Sequence, residues 1–220
     1  MKIGQTYLMS SNELSLIAAA SGMDSFLMFD SRAQHDRGTQ MQSVLRLIAD
    51  GFLINNGTAI TPGPSLAPLL EVFKSASTAV VAKLSSREAA PICIYFCNSR
   101  EAFLRIIPHA QKDDIYEVST TALDALLDDL ESLHFLPVLF DWQIGSLGQL
   151  GDNSDVSDRL KDKPHTIFEK IDLSAKTLIG QVSITQDSSV WAMSTGLEPN
   201  IEHTCYSRDN FIEWLMGGTT

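Results

Sequence analysis

Asp113-Asp114 and Asp128-Asp129 are the residue pairs with the plainest capacity for chemistry, because two converging carboxylates can share a proton or hold a divalent cation. Neighbours on a helix diverge by about 100°, however, so Asp128-Asp129 cannot meet on one ligand unaided and describes a solvated face. The same holds for the pair in its loop. The five histidines, His35, His109, His134, His165 and His203, lack the i, i+4 spacing of a helical metal site. Gly145, Gly148 and Gly151 are evenly spaced, but no strand-to-helix switch with a phosphate-gripping lysine follows them. Ser146, between Gly145 and Leu147, does not complete the G-x-S-x-G pattern of a nucleophile elbow. The sequence therefore assigns no catalytic residue, no metal ligand and no cofactor. Its candidate partner-binding residues are Phe140 and Trp142, aromatic side chains in a connector beside Asp141 and Gln143, a setting in which such groups anchor another protein. Core packing is the competing reading for both. Trp191, on a strand, and Trp214, on an amphipathic helix, read as core.

The elements that must position these residues begin with a helix capped by Ser10 and Glu13 and stopped at Gly22, with Leu14, Ile17 and Ala18 on one face. Phe26 to Phe29 follows as a short strand or turn. From Thr39 to Asp50 a second helix places Met41, Val44, Leu45 and Ile48 at i, i+3, i+4, i+7, the spacing of one apolar face, and Gly51 ends it. Phe52-Leu53-Ile54 and Ala59-Ile60-Thr61 flank Asn56-Gly57, which supplies the positive φ of a tight hairpin. Pro62 to Pro64 ends strand pairing, and Ser65 caps a helix with Leu66, Leu69, Leu70 and Phe73 inward. Together these form a winged-helix-like unit.

After Ala76 the period changes to that of strands: 78–84, 91–97, 102–107 and 115–119, closing on a helix from Thr120 to about Leu133 with Leu123, Leu126, Leu127 and Leu130 inward. Strands recur at 166–171, 177–185, 190–193 and 201–206, and a helix from about Arg208 to Met216 follows, capped by Ser207. Val118-Ser119 and Tyr206-Ser207, each entering a helix, are 88 residues apart, so one plan is used twice. The expected fold class is α+β, an N-terminal winged-helix-like helical unit followed by a duplicated antiparallel β-meander plus helix. The expected segments are 1–77, 78–134, a connector at 135–164 whose residues 145–163 form a loop, and 165–220, separately or as one compact domain.

A chain of 220 residues buries roughly 70% of its unfolded surface and needs neither disulfide nor metal to fold. Cys93 and Cys97 would lie roughly 13 Å apart on a strand, too far to bond. With Cys205 they make an odd set, which fits a reducing, cytoplasmic setting. Polar Ser10 to Glu13 interrupts any signal-like apolar run, and no run approaches the ~20 residues of a membrane span. Net charge is −11: residues 1–77 carry 5 basic and 6 acidic groups, 78–134 carry 5 and 9, and 135–220 carry 6 and 12. The candidate recognition helix offers only Arg37 and Arg46, and the wing offers no cation, which argues against nucleic acid.

The capped helix with Glu13 and Leu14, the Asp30-containing connector, the Val44-Leu45 helix ending in Asp50-Gly51-Phe52-Leu53, the hairpin and the helix from Ala67 to Phe73 before a sheet resemble the EspG family of type VII secretion accessory proteins. The resemblance covers residues 7 to about 134, rests on hydrophobic spacing with a glycine, and is absent in detail through 136–164. It implies an acidic cytosolic α+β protein that chaperones a helical secretion substrate, and it carries over no binding residue. Three functions remain in view: a non-enzymatic cytoplasmic protein-binding module, a winged-helix transcription regulator, and an enzyme whose site is assembled from residues distant in sequence.

Overall fold

The computed structural model describes residues 6–23, 25–26, 29–30, 37–85, 92–97, 102–138, 160, 163–187, 190–197 and 200–217. In chain order its elements are β1 (Tyr7–Ser10), α1 (Ser11–Ala20), β2 (Ser25–Phe26), β3 (Phe29–Asp30), α2 (Arg37–Ala49), β4 (Leu53–Asn55), β5 (Ile60–Pro62), a 3-10 turn at Pro64–Leu66, α3 (Ala67–Ser75) and β6 (Ala76–Leu84). Then come β7 (Ile92–Cys97), β8 (Phe103–Pro108), β9 (Ile115–Thr121), α4 (Leu123–Ser132), β10 (His165–Asp172), β11 (Thr177–Asp187), β12 (Val190–Leu197), β13 (Asn200–Cys205) and α5 (Arg208–Met216). The fold is α+β: a helical N-terminal part carrying a short hairpin, then antiparallel meanders that run into helices. It divides into two compact units, Met1–Ala76 with Ile92–Ala122, and Ser77–Pro91 with Leu123–Thr220.

In the first unit the antiparallel strand order is β1-β9-β8-β7, with Tyr7 opposite Val118 and Phe103 opposite Thr121. The edge strand β1 was not foreseen, since four residues ahead of a helix cap carry little periodic signal. Its last residue, Ser10, caps α1: the Glu13 N–H donates to Ser10 Oγ at 3.2 Å and the Ser10 N–H donates to Glu13 Oε2 at 2.9 Å, the reciprocal capping box. Glu13 is 2% exposed, and its other oxygen meets Arg46 Nη1 of α2 at 3.1 Å. Asn12 Nδ2 donates to Ser43 Oγ at 2.8 Å, a second polar tie between the two helices.

The apolar face expected of α2 is corrected here. Met41 is 61% exposed and Leu45 59%, while Leu47 is buried and Val44 and Ile48 are half-buried. The helix also starts two residues before Thr39. A spacing of 3.6 is satisfied equally by the Val44, Leu47, Ile48 stripe, and the Asn12–Ser43 and Glu13–Arg46 contacts fix that rotation. The turn beyond α2 matches expectation: Gly51 at φ 73°, with the Phe52 N–H donating to Leu47 O at 2.8 Å and the Gly51 N–H to Ile48 O at 3.1 Å, closes a Schellman cap. The hairpin β4–β5 forms over Gly57 at φ 82°, and Pro62 lies within it, opposite Leu53, rather than ending it. Ser65 does not cap α3; its hydroxyl donates to Gly51 O at 3.0 Å. Leu66, Leu69, Leu70 and Val72 are buried, and Phe73 is half-buried.

In the second unit the order is β6-β10-β11-β12-β13, every pair antiparallel. Residues directly opposite share a face, so Ala82, Phe168 and Val182 form one row and Ile184 and Met193 another. All five are at most 2% exposed. The amphipathic α5 covers this face, with the Phe211 ring centroid 4.8 Å from that of Phe168. Full burial of such side chains stabilises by about 2–3 kcal/mol each. The opposite face carries polar pairs, Lys83 Nζ with Glu169 Oε2 at 2.7 Å and Ser194 Oγ with His203 Nδ1 at 2.7 Å. Between Lys170 and Ile171 the register shifts, leaving Ile179 of β11 as an extra, bulged residue.

Candidate functional site

The second unit holds a groove of about 370 Å³ at the end of the sheet face where α4 hands over to the chain beyond it. One wall is the run Phe135 to Val138; the other is Leu84, Ile184 and Trp191, and His134 and His165 are its titratable members. Its geometry starts from the end of α4. Leu126, Leu127 and Leu130 hold that helix in the core, and beyond Ser132 the chain reverses through His134 at φ 63°. The His134 N–H donates to Glu131 O at 3.0 Å and the Phe135 N–H to Leu130 O at 2.8 Å, which is a Schellman cap with histidine where glycine is usual. Phe135, Leu136 and Pro137 turn inward and are buried, while Val138 stands 52% exposed at the rim. His165 is held from the other side, its Nδ1 2.8 Å from Lys163 O and its backbone N–H donating to Ser85 Oγ at 2.8 Å.

The groove is a concave, mainly apolar surface. Its chemistry is apolar, and its two imidazoles are not joined by a third metal-ligating side chain: among the described residues no group of three His, Cys, Asp or Glu could hold a metal. Trp191, expected in the core, is half-buried and lines the groove, with Gln186 opposite it in the strand register. Trp214 is likewise half-buried, against Phe168 and Phe211. Phe140 and Trp142 lie outside the described residues, as do Gly145, Ser146, Gly148 and Gly151. His134 was visible in the sequence only as an isolated histidine; the missing glycine after a leucine-rich helix is the signal that marks it.

The remaining sequence candidates are dispersed. Asp128 pairs with Arg208 of α5 at 3.1 Å, and Glu131 with the same guanidinium at 3.6 Å, so those carboxylates tie two helices together. Asp114 sits at φ 56° in the turn before β9. Of the two cations that a DNA-reading α2 would use, Arg46 is engaged by Glu13 and, at 3.5 Å, by Asp50. Ser194 and His203 form a hydrogen-bonded pair on a strand surface, and burial holds His203 below its ordinary value of 6.5. No helix among the described residues is long and apolar enough to cross a membrane.

No protein-family model and no curated protein matches the sequence. Among solved structures, the fold is similar to that of the Mycobacterium tuberculosis type VII secretion system chaperone EspG5, determined in complex with a PE25-PPE41 dimer. The TM-score is 0.51 and the sequence identity 9%, over 98% of this chain and 95% of that one. At that identity the likeness is one of fold alone.

Proposed function

We propose that this is a non-enzymatic, chaperone-like protein of the cytoplasm that binds another protein, and that the groove beside Trp191 takes apolar side chains from a helical segment of that client. The observation that carries the reading is the groove, a concave apolar surface walled by Phe135 to Val138 and Trp191 with an exposed valine at its edge. Its volume falls within the roughly 300–1,000 Å³ of ligand pockets, and two or three side chains from one helix face would fill it. Likeness of fold to a chaperone solved with a bound protein dimer supports the same reading. Phe140 and Trp142, two and four residues past Val138 in the sequence, are proposed as further anchors for the client. Site-specific photo-crosslinking from position 138 in the source cell tests this. A single protein crosslinked through one face of a helix is the expected product; no product, or the same product from a probe at exposed Ala175, counts against it.

A further inference from the structure

We propose that a second cavity of the same unit, between α5 and strands β11 to β13, is a receptor for an organic cation: the guanidinium or ammonium group of an arginine or lysine side chain presented by a protein partner. The cavity encloses about 570 Å³, with Met193 and Trp214 as apolar walls and Glu202, Asn210 and Glu213 as polar ones. Two independent features point to a cation.

The first is a resident ammonium. Lys170, 6% exposed, directs its Nζ at the carboxyl end of α5, where it donates to Trp214 O at 3.1 Å and to Gly217 O, and lies 5.7 Å from the centroid of the Trp214 ring. The floor of the cavity thus already holds one cation by the means such sites use, helix-terminal carbonyls and an indole face.

The second is unmatched negative charge at the mouth. Glu202 of β13 and Glu213 of α5 are exposed and line the cavity from opposite elements, and among the described residues neither side-chain carboxylate has an ion pair or hydrogen bond. Asn210 commits its amide nitrogen to Cys205 O at 3.5 Å, which leaves its amide oxygen as an acceptor. The bulge at Ile179 and the absence of a side chain at Gly180, where an added Cβ would come within 3.5 Å of Trp214 Nε1, leave the indole edge accessible from the cavity. Two carboxylates at the mouth and the negative end of a helix at the floor thus share the cavity with a single buried ammonium. The excess is compensated by a second cation seated at the mouth, its stem against Trp214 and Met193 and its N–H groups on Glu202, Glu213 and Asn210.

The source of the cation rests on the protein-binding reading above, but the site itself does not, so the two can fail separately. The test titrates the ¹⁵N-labelled full chain with butylguanidinium, and with butylurea as its neutral counterpart, following the Trp214 indole N–H resonance. The expected result is a saturable shift with butylguanidinium, none with butylurea, and at least tenfold weaker binding in the doubly substituted Glu202→Gln, Glu213→Gln protein. Both glutamates are surface groups, and the unchanged remainder of the spectrum confirms the fold of that variant. An equal response to butylurea, or undiminished binding by the double variant, overturns the proposal.

Discussion

The backbone N–H of Phe135 donates to the carbonyl of Leu130 at 2.8 Å, across a His134 held at φ 63°. A histidine in the left-handed region carries strain that glycine does not, so the groove wall is launched from a turn that is mildly costly to form. Replacing His134 with glycine is expected to raise unfolding stability by about 0.5–1 kcal/mol, less whatever glycine adds to the entropy of the unfolded chain. Chemical denaturation of the two proteins measures this; a loss of stability would mean that the imidazole makes a contact worth more than the strain.

Helix α2 supplies a paired comparison. Leu47→Ala removes a side chain that is 1% exposed and is expected to cost about 3 kcal/mol, whereas Leu45→Ala, at a position 59% exposed, should change stability by less than about 0.5 kcal/mol. Equal losses at both positions would restore the rotation that periodicity alone suggests.

That helix also shows where the sequence stops being legible. Amphipathic spacing located α2, but it could not choose between two stripes that both fit 3.6, because the choice is made by Asn12 and Glu13 of another helix. Local chemistry fared better where it was self-contained: α5 runs from Arg208 to Met216 as read, with Ser207 Oγ accepting the Asn210 N–H at 3.1 Å. The antiparallel runs 92–121 and 165–205, each entering a helix, were likewise visible as strand periods, although Thr120, the expected start of the first helix, belongs to β9 and α4 begins at Leu123. Pairing of β6 with β10, Thr166 opposite Leu84, was not, since contacts over such separations leave no local pattern. The groove was hidden for the same reason: Leu84, Phe135 and Trp191 are far apart in the chain and meet only through that register.

His203 gives the protein a pH dependence of predictable sign. Burial lowers its folded-state pKa below the 6.5 of the exposed imidazole, so the unfolded chain takes up the proton first. Its contribution to stability is complete above about pH 6.5 and is lost as pH falls through the folded-state value. Denaturation midpoints measured between pH 7.5 and 5.5 should fall more steeply for the parent than for His203→Asn, which keeps a polar group beside Ser194 but does not titrate. Parallel profiles would show that His203 protonates equally well in both states.

The central claim is that the groove beside Trp191 binds a protein. Its most direct measurement is the affinity of the purified client, identified through position 138, for the parent and for Val138→Asp, with Ala175→Asp as a control on an exposed turn of the same unit. A carboxylate at a 52% exposed rim position leaves the core intact but must be desolvated under an apolar client. The account predicts at least tenfold weaker binding for Val138→Asp and none of that loss for Ala175→Asp; equal affinities for all three proteins would contradict it.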